Sequence, residues 1–315
     1  MKHKVVLAAM VAAIMFAQSK PWSPPRTPDG HPDLQGAWTN ATLTPLERPA
    51  EFRDKPVLSE QEAAAYEKKL LRENDRDRRD GGAEVDVGRA YNELFFERGN
   101  SLARVGNSIR TSLIVDPPDG RVPALTPEAQ KRAADTRAEA RRHPADGPED
   151  RSLQERCLFW ATDGPPMLSA QYNNNYQIVQ TPVYVMILAE MAHDARIIPL
   201  DGRSHADSKI REWKGDSRGH WEGDTLVVDT TNFTGKTRFR GSSENLHVIE
   251  RFTRVAADTI LYKFTVDDPS TFTKPWSGEI PFTTAAGAIF EYACHEGNYA
   301  LRDILAGARA EERQK

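Results

Sequence analysis

The run Leu246-His247-Val248-Ile249-Glu250-Arg251-Phe252-Thr253-Arg254-Val255 passes through Ala257-Asp258 into Thr259-Ile260-Leu261-Tyr262-Lys263-Phe264-Thr265-Val266. Side chains on a strand alternate between faces, so Leu246, Val248, Glu250 and Phe252 share one face. His247, Ile249, Arg251 and Thr253 share the other. Two β-rich runs joined by a short turn read as an antiparallel pair. The same pattern extends outward, with strands expected at 176–180, 183–190, 195–200, 217–222, 225–231, 275–282 and 288–294. Turn residues at Asp201-Gly202, Glu222-Gly223-Asp224 and Gly241-Ser242 punctuate them. Val183 to Leu188 is apolar on both faces, which implies a cover on the outside as well, from an insertion or the N-terminal arm.

Upstream the pattern changes. Residues 20–34 are proline-rich and extended, and Gly36-Ala37-Trp38 lies on a short strand at 33–39. Ser59 and Glu62 form a capping box for a helix expected over 59–80. Thr126-Pro127-Glu128 opens another helix that runs to Arg142. Strands are expected at Tyr91–Phe96 and Arg110–Val115. Residues 43–170 thus read as a partly helical insertion, and a helix at 299–312 closes the chain. The fold class is mainly β: an antiparallel barrel of about eight to ten strands, which removes exposed edges.

The N-terminus carries Lys2 and Lys4 before an apolar run from Val5 to Ala17, too short for a membrane span. Ala17-Gln18-Ser19 suits cleavage after Ser19. Pro21, Pro24 and Pro25 argue against an uncleaved anchor helix. A periplasmic or secreted protein is expected, with no membrane span after cleavage. Loss of the two lysines moves the formal net charge from −4 to −6. The basic runs at 76–79 and 137–142 are interleaved with Asp and Glu, which speaks against nucleic acid. Cys157 and Cys294 are either joined, linking the insertion to the last expected strand, or two buried free thiols.

Glu250 is the leading chemical candidate, because it stands in an apolar row. Facing inward it is either an acid or base with a raised pKa, or half of a buried ion pair with Arg238 or Arg240. Facing outward it is a surface charge. His247 or His220 is its candidate counterpart, and Arg251 or Arg240 the candidate stabiliser of a developing anion. His193, His295, Asn174, Tyr176, Trp221 and Trp276 are candidate ligand contacts. Each also has a plain reading, as a polar strand residue, a turn amide or a packed aromatic. No metal-binding spacing, nucleophile elbow, dinucleotide loop or phosphate loop is present, and no cofactor is expected.

Several strings together resemble an uncharacterised family of exported bacterial proteins, a likeness that covers nearly the whole chain after Ser19. They are Pro25-Arg26-Thr27-Pro28-Asp29-Gly30-His31-Pro32-Asp33-Leu34 with Gly36 and Trp38, then Ile178-Val179-Gln180-Thr181-Pro182, then Trp221-Glu222-Gly223-Asp224-Thr225-Leu226-Val227-Val228-Asp229-Thr230. His247-Val248-Ile249-Glu250-Arg251-Phe252 and Glu291-Tyr292-Ala293-Cys294 complete the set. The resemblance carries over no catalytic residue. A slighter similarity to lipocalins rests on Gly36-x-Trp38 and the strand number, and the long insertion departs from it. The expected function is binding of a small, partly apolar organic molecule, with acid–base chemistry upon it as a hydrolase, lyase or isomerase. The alternative is a non-catalytic carrier or envelope interaction module.

Overall fold

A computed structural model describes residues 22–89, 92–160 and 162–314. The expected leader and its cleavage point lie outside the described residues. In chain order the strands are β1 (Gly36–Thr39), β2 (Val57–Leu58), β3 (Arg104–Val105), β4 (Ser108–Arg110), β5 (Ile114–Asp116), β6 (Asn175–Gln180) and β7 (Tyr184–Ala189). They continue with β8 (Asp194–Pro199), β9 (Asp216–Glu222), β10 (Thr225–Thr231), β11 (His247–Ala256), β12 (Thr259–Asp267) and β13 (Trp276–Thr284). The helices are α1 (Glu60–Asn74), α2 (Ala83–Gly88), α3 (Pro127–Arg142) and α4 (Tyr299–Glu312).

The main sheet is antiparallel in the order β8-β7-β6-β1-β13-β12-β11-β10-β9, with β5 added beside β13. It curls into a nearly closed barrel. The inner row of β11 faces that of β12, Glu250 opposite Phe264, and Phe264 in turn faces Gly278 of β13. A methyl on Gly278 would stand 2.4 Å from the Phe264 ring, so glycine is what admits the aromatic there. The ladder ends at β8 and β9, and side chains close the gap between them. Gly219 of β9 lies under Ile198 and Leu200, and a Cβ there would meet them at 2.8 and 2.7 Å. Trp38, Tyr176, Phe252, Tyr262, Phe264, Phe282 and Trp276 are all buried in one cluster, so side chains fill the interior.

The N-terminal arm seals one end of this barrel. Arg26 pairs with Asp224 at 2.8 Å, and His31 stacks on Trp221 with centroids 4.7 Å apart. The Trp38 indole donates to the Leu34 carbonyl, while Arg254 lies over its ring at 5.3 Å and donates to the Asp33 carbonyl. The insertion covers the opposite end. Its backbone joins there through β5, which pairs with β13, through the Thr126 N–H donating to the Thr271 carbonyl and through the Thr273 N–H donating to the Ala124 carbonyl, and β2, β4 and β3 form a small separate sheet.

Five sequence expectations need correction. Residues 288–294 form no strand, because β1 and β5 already occupy the free side of β13. Cys294 therefore sits in the loop before α4. The helix expected to residue 80 stops at Asn74, since Asp75 leaves helical geometry and its carboxylate takes the Asp77 N–H at 2.8 Å. Of the stretch 91–96, the described residues form a 3-10 turn at Glu93–Phe95, and the run 110–115 is split between two sheets. The outer face of β7 and β8 is not covered. Ile197 is 61% exposed and Tyr184 38%, because the insertion packs on the barrel end instead of its wall.

Candidate functional site

Glu250 points into the barrel and is fully buried. Arg196 of β8 meets it across the seam, with Nη1 donating to Oε2 at 2.5 Å and Nη2 to Oε1 at 3.0 Å. The Tyr262 hydroxyl donates to Oε1 at 2.8 Å and itself accepts the Met167 N–H at 3.0 Å. Burial and the Glu250 charge push the Tyr262 phenol well above its ordinary value. A carboxylate held by a forked guanidinium and a phenol is a brace between β8, β11 and β12. Its partner is neither Arg238 nor Arg240. Arg238 caps and Arg240 lies within the 3-10 turn Phe239–Gly241 beyond the barrel end, where Arg240 donates to Glu47 at 3.0 Å.

His247, His220 and Arg251 are not brought to Glu250 either. Strand alternation sends them to the outer face. There His220 and Arg251 flank Glu222 at 3.2 and 2.7 Å. His247 bonds Asp229 at 3.1 Å, and His205 reaches from the β8–β9 connection to Asp229 at 3.0 Å and Asp216 at 3.1 Å. The Asp229 bond holds the His247 imidazole above its usual range. The outer-face residues form a polar net that pins the 201–215 connection to the wall.

The remaining candidates scatter. Asn174 is buried and clamps a turn, accepting from Ala170 N at 2.6 Å and donating to the Glu97 carbonyl at 2.6 Å. Trp276 is core, stacked on Phe239 and edge-on to Phe264 and Phe272. Trp221 packs under His31 at the sealed end. His193 ends the 3-10 turn Met191–His193 and His295 lies in the loop before α4, both exposed. Cys157 and Cys294 are joined by a disulfide across a Cα–Cα distance of 5.8 Å, which ties the insertion to the loop before α4. Among the described residues no group of three or more His, Cys, Asp or Glu side chains could hold a metal ion, and no helix is long and apolar enough to cross a membrane.

A different set converges at the covered end. Asp163 is 5% exposed, and neither of its oxygens accepts a hydrogen bond from the described residues. The Lys214 ammonium stands 3.1 Å from Oδ2, out of line for a bond but close enough for charge attraction, and 2.9 Å from Asp194. Burial pushes the Asp163 carboxyl from 3.8 up to about 7, against the opposing pull of Lys214. A carboxyl balanced in this way can hold or release a proton near neutrality. Tyr176, its phenol raised by burial, donates to the Thr162 carbonyl at 2.9 Å and accepts from Asn40 at 3.3 Å. Asn40 Oδ1 and Thr162 Oγ1 are buried with no hydrogen-bond partner among the described residues.

Thr162 also lines a cavity of ≈ 440 Å³ between the insertion and the barrel end, together with Thr44, Leu46, Leu113, Leu168 and Phe239. The volume suits a small organic molecule. Of the sequence candidates, this end holds Tyr176 and Arg240, with Asn174 behind the cavity-lining Ala170 and Trp276 behind Phe239. Asp163, Lys214, Asn40 and Thr162 carry no signal in the sequence beyond the turn-forming Gly164-Pro165-Pro166 that follows Asp163. Compared with family models, curated proteins and solved structures, this chain gives no match.

Proposed function

We propose that this is an exported protein, of the bacterial family its motifs resemble, whose lipocalin-like barrel binds a small, partly apolar organic molecule at the covered end. It acts on that molecule by acid–base chemistry without a redox cofactor, as a hydrolase, lyase or isomerase. The observation that carries the reading is Asp163, a buried carboxyl with unbonded oxygens next to a residue lining the cavity. Asp163 would move the proton, with Lys214 stabilising its ionised form. Export is supported by the apolar N-terminal run and by the Cys157–Cys294 bond, since disulfides persist in oxidising compartments.

The second reading, a non-catalytic carrier, is favoured by Glu250, whose charge is wholly absorbed by Arg196 and Tyr262. The two are separated by screening small molecules for thermal stabilisation of the wild-type chain and Asp163→Asn, then following the hits by mass spectrometry. Under the enzyme reading both proteins bind a common ligand and only the wild type converts it. Recovery of every bound ligand unchanged from the wild type would leave the carrier.

A further inference from the structure

Among the described residues, the cavity at the covered end is lined by two cations, Arg98 and Arg240, and by no Asp or Glu side chain. The carboxylates that pair them reach in from outside the lining. Arg98 is firmly held: it donates to Glu93 at 2.8 Å and to the Asn74 carbonyl at 3.2 Å, and it lies 4.0 Å over the Phe96 ring. Arg240 is held differently. It donates to Glu47, and the two side chains are 39% and 36% exposed, which makes a weak pair that an incoming anion can replace.

The backbone under Arg240 is unusual as well. Arg238 and Arg240 both adopt φ of 48°, left-handed geometry that strains any residue other than glycine. Between them Phe239 is buried against Trp276 and also lines the cavity. Such strain persists where surrounding packing enforces it, and it gathers at ligand sites. Here it anchors the aromatic ring in the core and leaves the neighbouring guanidinium at the cavity rim.

We propose that the cavity takes a small amphiphilic carboxylate. The carboxylate accepts from Arg240 in place of Glu47, and the hydrocarbon part lies along Leu46, Leu113, Leu168 and Phe239. A planar guanidinium matches a carboxylate in two parallel hydrogen bonds, which an alcohol cannot reproduce. This rests on the reading of the cavity as the ligand site and adds the class of ligand.

Octanoate, octanol and octylammonium, titrated by calorimetry into the full chain, test it alongside Arg240→Gln, Glu47→Gln and Arg203→Gln. Arg203 pairs with Asp201 at the opposite end of the barrel and serves as the charge control. Octanoate is expected to bind at least about tenfold more tightly than octanol. Arg240→Gln should erase that preference without weakening octanol, Glu47→Gln should tighten octanoate, and Arg203→Gln should change neither. Octanol or octylammonium binding as well as octanoate, or a preference that survives Arg240→Gln, overturns the ligand class and leaves the cavity reading standing. Binding of none of the three probes overturns both.

Discussion

Replacing Glu250 by glutamine keeps the shape of the side chain and removes the charge that Arg196 answers. Arg196 is 8% exposed and makes a two-pronged contact, so the guanidinium would be left in the barrel without a counter-charge. Breaking a buried pair from one side costs about 3–5 kcal/mol. For a domain near this size, each kcal/mol moves the melting midpoint by roughly 2–4 °C, so Glu250→Gln should melt about 6–20 °C below the wild type. The phenol of Tyr262 can still donate to the amide oxygen, which favours the lower part of that range. Thermal and urea melts with an unchanged urea slope would establish that stability alone has moved. The double replacement Arg196→Met with Glu250→Met should recover much of the loss, because two apolar side chains leave no charge to solvate. A Glu250→Gln protein melting within about 2 °C of the wild type would refute the bracing role and return Glu250 to the list of candidate acids and bases.

Asp163 gives the opposite dependence on charge. Its folded pKa is about 7 against 3.8, so the folded chain keeps a proton that the unfolded chain has lost between those values. Stability should therefore fall as pH rises from about 4 to 7, by about 4 kcal/mol, relative to Asp163→Asn; a constant difference between the two proteins would contradict this. Removing the Cys157–Cys294 link, which spans 137 residues, should lower stability by up to about 5 kcal/mol in urea melts and expose two titratable thiols. Gly219→Val should cost about 1–3 kcal/mol, since the new side chain collides with Ile198 and Leu200 at the barrel seam, while the same change at the exposed Gly223 turn should leave the seam intact by hydrogen exchange.

The barrel is legible in the sequence where a single physical rule dominates. Alternation along β10 to β13 reports one buried face, and turn residues mark the ends, so those strands fall within a residue or two of expectation. The inward direction of Glu250 follows from the same rule. Its partner does not, because in Ala195-Arg196-Ile197-Ile198 the apolar Ala195 and Ile197 face solvent and the arginine faces in. The mouth is less legible still. Asp163, Lys214 and Asn40 come from three connections far apart in the chain, and what makes them notable, a buried carboxyl facing a lysine and a buried amide oxygen with no described donor, is a property of the assembled fold alone. The uncovered outer face of β7 and β8 has the same origin: a doubly apolar strand calls for a cover, but the chain places its insertion on the barrel end.

Carbon-13 NMR of the aspartate carboxyls across the pH range, in the wild type and in Asp163→Asn, addresses the covered end most directly. One aspartate carboxyl in the wild type should titrate near pH 7, and that resonance should vanish in the variant. If every aspartate titrates below about pH 5, as unshielded carboxyls do, then the covered end holds no poised proton and the acid–base site is excluded.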